Sequence, residues 1–319
     1  AFCFLRCHTI CHLSQREVVM STAQVERVEL DQLVCWRIRA ADSELLVAQQ
    51  GAQILSYQQG EQPPLIWLSP DAAYQRGQSV RGGVPVCWPW FGDLRRNPQA
   101  VQAHYHQEQA PAHGLVRALD WELLGIDEED DTVTLRFAYD TRNQPLDGWP
   151  RDVGLTFVVR LAQDLSMSLE THNRGDTPLT LSQALHSYFA VSDVRQVSVE
   201  GLQACRYLDT LLDWQELRQQ DELGFSAETD RIYLVTPARL SIVDPGWGRR
   251  IHLDARGSRS AVLWNPWVDK AKRLSQFPDD AWQNMLCIET ANVLEDVLQL
   301  KADERHRLEL RLSSEPLLN

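Results

Sequence analysis

The chain has 319 residues, 44% hydrophobic and 24% charged, enough to bury a sizeable core in one large domain or two modest ones. Lys plus Arg number 31 against 44 Asp plus Glu, and the resulting formal net charge of −13 argues against nucleic acid or anionic membrane as the main partner. No apolar run approaches the roughly 20 residues that a membrane helix needs.

The first nineteen residues, AFCFLRCHTICHLSQREVV, differ in character from the rest of the chain and lack the apolar region and cleavage site of a signal peptide. Residues 1–19 are read as an appended extension without function, the alternative being a targeting or partner-binding arm. Cys3, Cys7 and Cys11 there, with His8 and His12, match no usual zinc-ligand spacing, so no metal is expected. Cys35, Cys87, Cys205 and Cys287 are scattered in apolar contexts as reduced thiols would be, which points to the cytoplasm.

From Val25 to Leu68 short apolar runs alternate with turns at Gln49-Gln50-Gly51 and Gln59-Gly60-Glu61, a pattern of hairpins. Then comes Arg81 to Gly92, R-G-G-V-P-V-C-W-P-W-F-G. Gly82 and Gly83 allow a sharp turn beside Arg81, and Pro85 and Pro89 keep the segment out of the middle of an ordinary sheet. Trp88, Trp90 and Phe91 on such a stiff backbone suit the apolar face of a sugar, and Arg81 suits an anion. A buried aromatic corner with a surface ion pair is the competing reading. A polar loop spans 93–112, and after it comes Ala112-His113-Gly114-Leu115-Val116-Arg117.

The middle of the chain carries clear strand periodicity. Val133, Leu135, Phe137 and Tyr139 alternate with polar or small residues, as do Leu155 to Leu161 and Leu165 to Leu169. Strand, turn, strand at about ten-residue intervals is a meander and favours an antiparallel all-β sandwich over βαβ units. Counting by two from Leu179 to Val191 puts His186 on one strand face with Thr180, Ser182, Ala184 and Tyr188. Cys205 to Gly224 reads as one or two helical turns, and Asp230 begins the strand after it. The run Ala261-Val-Leu-Trp-Asn-Pro-Trp267 ends a strand at Pro266, and a short polar helix is expected over 269–274. Met285 to Asn292 then sets Glu289 in an otherwise apolar strand, where burial raises a carboxyl pKa and makes it a general-base candidate. Leu308, Leu310 and Leu312 mark the last strand.

Five stretches together, R-G-G-V-P-V-C-W-P-W-F-G, A-H-G-L-V-R, A-L-H-S-Y-F, V-L-W-N-P-W and L-C-I-E-T-A-N, resemble the glucose-6-phosphate 1-epimerases of the aldose 1-epimerase superfamily. The resemblance spans Val25 to Ser314. It implies a large antiparallel β-sandwich of the galactose mutarotase-like kind with a few short helices, forming one domain over 20–319. It implies His186 and Glu289 as catalytic residues and Arg81, Arg117 and Asp230 as substrate-binding, with His113 facing the sugar and Trp88 or Trp90 packing on its ring. The implied activity is interconversion of the α and β anomers of a hexose 6-phosphate by acid–base ring opening, without cofactor. Arg95, Arg96 and Lys270 are further phosphate candidates. A non-catalytic sugar-binding protein on the same fold and a mutarotase for unphosphorylated aldoses are the alternatives. The expected partner is a small sugar phosphate, and the acidic surface with no evident apolar patch makes a monomer the expected state.

Overall fold

A computed structural model describes residues 23–317 of the chain; the extension over 1–19, with Cys3, Cys7 and Cys11, lies outside the described residues. Antiparallel strands dominate, in sheets of nine, eight, four and two strands. The expected meander forms half of the nine-stranded sheet: Glu122–Glu129, Thr132–Asp140, Val153–Leu161 and Leu165–Asn173 pair in chain order, and Arg305–Pro316 adds to the last of them. Their side chains alternate between buried and solvated positions, which fixes the register because a one-residue slip would turn every apolar side chain outward. Phe157 lies between Phe137 and Leu169 on the inward face, and Trp36 of the four-stranded sheet meets Phe137 edge-on at 5.6 Å.

The eight-stranded sheet is built differently. Its path runs Gln215–Arg218, Arg206–Asp209, Thr229–Tyr233, Ser260–Asn265, Met285–Asn292, Gln183–Leu185 and Val86–Cys87, with Tyr188–Ala190 also paired to Met285–Asn292. All eight residues of Met285–Asn292 are buried, so this strand has no water-facing side.

Three expectations are corrected by the fold. The stretch 205–224 is not helical: Tyr207 pairs with Leu217 and Leu208 with Glu216 in a hairpin, and only Thr210–Leu212 makes a 3₁₀ turn, capped by the Asp209 side chain. Its Leu208, Leu211 and Leu212 mimic a helical stripe, but cross-strand hydrogen bonds satisfy the backbone instead. The helix expected over 269–274 is Trp267–Ala271, beginning directly after Pro266 with the Asn265 side chain accepting from the Trp267 N–H at 2.9 Å. The run 179–191 is three short strands, Leu179–Leu181, Gln183–Leu185 and Tyr188–Ala190. His186 occupies the second interruption. The cysteines Cys35, Cys87, Cys205 and Cys287 are free, and among the described residues no helix is long and apolar enough to cross a membrane.

Candidate active site

Glu289 and His186 are brought together by the break between Gln183–Leu185 and Tyr188–Ala190. Both short strands pair with Met285–Asn292, so the residues between them cross over the middle of that strand. Two backbone bonds pin the crossing, from the His186 N–H to the Pro85 carbonyl at 3.0 Å and from the Ile288 N–H to the Ser187 carbonyl at 3.2 Å. His186 Nε2 then lies 3.5 Å from Glu289 Oε1, with the residues 7% and 1% exposed. The imidazole stacks on Tyr188 with centroids 4.8 Å apart and planes 7° apart, which fixes its orientation.

Glu289 Oε2 and His186 Nδ1 are buried and have no hydrogen-bond partner among the described residues. Buried polar atoms are nearly always paired, so two orphans on one dyad mark a place kept for something else. Burial, reinforced by the charge of Asp230, raises the Glu289 pKa well above the usual carboxyl range. Burial, with His113, Arg117 and Arg81 adding to it, pushes the His186 pKa well below the usual imidazole range. Both groups are driven toward their neutral forms.

The dyad opens into a cavity of about 780 Å³. Sheet register builds one wall: Ile232, Val262 and Glu289 stand side by side across three strands, and Asp230 and Trp264 form the neighbouring row. Burial raises the Asp230 pKa, while Lys270, with its Nζ 3.7 Å from Asp230 and 3.1 Å from Glu228, favours the ionised form.

Two glycines set the opposite wall. Gly83 has φ +72°, and a Cβ there would lie 2.2 Å from the Ile54 carbonyl oxygen, so only glycine lets the chain turn beside Arg81. At Gly114, φ +79°, a Cβ would lie 2.1 Å from the Trp88 carbonyl oxygen. This close passage holds His113 against the cavity. The Gly92 N–H reaches His113 Nδ1 at 3.4 Å, and since a backbone N–H only donates, Nδ1 accepts and the ring proton sits on Nε2. Burial, with the positive charges of Arg117 and Arg81, depresses the His113 pKa to about 3. His113 is thus a neutral donor.

Arg81, His113, Arg117, His186, Asp230 and Glu289 all line this cavity. Trp88 and Trp90 do not. They are 0% and 1% exposed in the main core, where Trp88 packs edge-on against Trp149 at 4.8 Å and Trp90 against Tyr105 at 4.9 Å. The Trp90 indole N–H donates to the Pro111 carbonyl at 2.9 Å, which satisfies its polar end inside the core. These rings anchor the loop from beneath instead of contacting a ligand. The aromatic surface toward the cavity comes from Phe91, Tyr188, Trp214 and Trp264. Trp264 was within reach of strand counting, being two positions from Val262 on the same face. Trp214 was not, because it sits on a hairpin loop.

Of the further cations, Arg95 turns away to Asp93, with Nη2 2.7 Å from the carboxylate, whereas Arg96 lines the cavity. Lys270 lines it too, committed to its two carboxylates.

Comparison with known proteins finds similarity over most of the chain. Residues 34–313 match the family described as Aldose 1-epimerase. A protein of Escherichia coli K12 named "Putative glucose-6-phosphate 1-epimerase" is 33% identical over 88% of this chain and 91% of its own length. One of the same name from Cenchrus ciliaris is 31% identical over 83% of this chain and 80% of its own. The crystal structure of a "putative mutarotase" from Salmonella typhimurium superimposes with a TM-score of 0.81 at 30% identity, covering 92% of this chain and 94% of that one.

Proposed function

The chain belongs to the aldose 1-epimerase family and is an isomerase of that type, and from this premise we propose that its substrate is a hexose 6-phosphate, with glucose 6-phosphate as the first choice. Glu289 and His186 are the acid–base pair. In the opening step Glu289 takes the proton of the C1 hydroxyl while His186 protonates the ring oxygen; the C1–O5 bond breaks and C1 becomes the aldehyde carbon. Rotation about C1–C2 presents the other face, and the same protons return as the ring closes. Burial holds the resting pair as carboxylic acid and neutral imidazole, so the opening step begins once the carboxyl proton has crossed from Glu289 to His186, 3.5 Å apart, and the neutral pair is restored at the open-chain stage. His113, a fixed Nε2–H donor, hydrogen-bonds a substrate oxygen, and Asp230 accepts from a sugar hydroxyl.

One observation carries the phosphate reading. Arg81, Arg96 and Arg117 all line the cavity, and none makes a salt bridge among the described residues. In a chain of net charge −13, where arginines elsewhere such as Arg95, Arg174, Arg239 and Arg311 are paired with carboxylates, three unneutralised guanidiniums around one cavity are a focused positive field. Guanidinium matches phosphate in both charge and geometry, whereas a neutral sugar gives no reason for three. The names of the Escherichia coli and Cenchrus ciliaris relatives point the same way.

The test is exchange between the α and β anomer signals of glucose 6-phosphate by NMR, with glucose as control. Acceleration of the ester well beyond the free sugar, lost in Glu289→Gln and His186→Asn, supports the proposal. Equal acceleration of both sugars removes the phosphate assignment and leaves a general aldose 1-epimerase.

A further inference from the structure

The cavity rim joins two banks that are far apart in sequence. One is the turn Leu94–Arg96, made rigid by the Asp93 side chain, which accepts from the Arg95 N–H at 3.0 Å, and by the Asn97 amide, which donates to the Phe91 and Asp93 carbonyls at 2.8 and 3.0 Å. The other is the hairpin loop 210–214, tied down where the Thr210 hydroxyl donates to the Asp230 carbonyl at 3.2 Å. Asp213 and Trp214 in that loop have φ of +53° and +60°, a conformation that side chains other than glycine rarely adopt, here on two successive residues. The Trp214 indole packs against the buried apolar cluster that includes Ile232, Val262 and Val293, and lies under Arg96, whose guanidinium carbon is 5.4 Å from the ring centroid, within cation–π range.

The guanidinium sits over the indole, and its N–H groups donate no hydrogen bond among the described residues. An oxyanion binds a guanidinium through its N–H groups, so the aromatic contact leaves those donors available and restrains where the cation sits. Asp93, the carboxylate on the same turn, is bonded by Arg95 at 2.7 Å, and Arg96 makes no salt bridge among the described residues.

We propose that Arg96 is a specificity-determining residue for the substrate's phosphoryl group and that Trp214 is the residue that positions it. This rests on the hexose 6-phosphate reading of the same cavity. It assigns the phosphoryl group a third guanidinium at the rim, aligned before the substrate arrives, beside Arg81 and Arg117. An aligned side chain loses less conformational freedom on binding, so the pair favours the ester over the free sugar by pre-organisation.

The experiment compares kcat/KM for glucose 6-phosphate and for glucose, and the inhibition constant of inorganic phosphate, in wild type, Arg96→Gln, Trp214→Phe, Trp214→Ala and the double variant Arg96→Gln/Trp214→Ala. Arg96→Gln should lower the ratio of ester to free sugar about tenfold and weaken phosphate inhibition by a similar factor, the scale of one charge-assisted hydrogen bond. Trp214→Ala should lower the ratio about threefold and Trp214→Phe, which keeps an aromatic face, less than about twofold. In the double variant the ratio should fall no further than in Arg96→Gln, because the tryptophan acts through the arginine. If wild type prefers the ester and Arg96→Gln keeps that preference, the clasp is wrong and the substrate reading stands. Additive losses in the double variant overturn the positioning role. A wild type with no preference for the ester overturns both the reading and the clasp.

Discussion

The nine-stranded and eight-stranded sheets are made from the same backbone pattern and spend their polar groups in opposite ways. On the nine-stranded sheet charged side chains face water and find partners across the strands: Glu170 accepts from Arg305 and Arg307 at 2.7 Å each, and Arg239 reaches Asp254 at 2.7 Å. On the eight-stranded sheet Met285–Asn292 is wholly buried, and among the described residues its Glu289 has Oε2 unpartnered beside a His186 whose Nδ1 is unpartnered too. The first sheet is arranged for stability. The second holds buried, unsatisfied groups that a fold optimised for stability alone would replace, and that sacrifice marks the candidate site.

The largest effect comes from removing those groups. Glu289→Gln should reduce the rate of anomer exchange by about 10²–10⁴-fold, the contribution of one positioned acid–base group. Its stability should move the other way, with a pH dependence of definite sign. Burial raises the Glu289 pKa, so the folded state keeps this proton at a pH where the unfolded chain has released it. The stability tied to the group is complete below its ordinary value of about 4.5 and is lost as pH rises toward the folded value. Glutamine has no proton to lose. The Tm of Glu289→Gln minus that of wild type should therefore grow as pH rises above about 4.5. His186 has its pKa depressed from about 6.5, so wild type loses stability as pH falls below that value, and His186→Asn should gain on wild type on the acid side. Thermal melts from about pH 4 to 9 measure both; slopes of the same sign in the two variants would contradict the burial account.

Next in size is damage to the nine-stranded sheet itself. Phe157 is fully buried between Phe137 and Leu169, and Phe157→Ala should cost about 3–5 kcal/mol of unfolding free energy through lost burial and a residual cavity. Denaturant titration reads this directly, and the folded fraction should keep its exchange rate per molecule. A stability loss as large from Glu289→Gln would erase the contrast between the sheets.

The two sheets also differ in how far the sequence disclosed them. The meander could be traced residue by residue because each of its strands has one solvated face, and water imposes the alternation that periodicity detects. Met285–Asn292 has no such face, and there the short motifs around His186, Glu289 and the glycines singled out residues that line the cavity where periodicity did not. Motifs did not say which way a ring points. Trp88 and Trp90 face the core although the loop's composition pointed them to a ligand, because Pro85 and Phe91 take the cavity side of that loop. Trp214 and the Arg96 contact depend on two left-handed residues in a hairpin loop that carries no glycine, so no residue type announced them. The break at His186 and Ser187, which creates the dyad, arises from pairing with a strand about a hundred residues away and has no local signal.

Smaller effects sharpen the boundary between the cavity charges and the surface charges. Arg81→Gln and Arg117→Gln should each lower kcat/KM for glucose 6-phosphate about ten- to a hundredfold, the worth of about 1.5–3 kcal/mol for a hydrogen bond to a charged group. Both should affect free glucose less. An equal loss on the two sugars, by the NMR exchange assay, would mean that these arginines shape the cavity without meeting a phosphate.

At the lower end stands the charge network of the nine-stranded sheet. Arg305 bonds Glu170, yet its side chain is 56% exposed, so water and salt screen the pair and two long side chains must be ordered to form it. Glu170 also keeps Arg307, at the same 2.7 Å, when Arg305 is removed, so no carboxylate is stranded. Arg305→Ala should cost less than about 1 kcal/mol and shrink further in about 0.5 M salt. Glu170→Ala, which releases two arginines at once, should cost more than either arginine variant alone. The cycle through Arg305, Arg307 and Glu170 by denaturant titration tests this. A loss of several kcal/mol from Arg305→Ala would mean that the solvated face shares the vulnerability of the buried one, since only a charge left without water or partner is that costly.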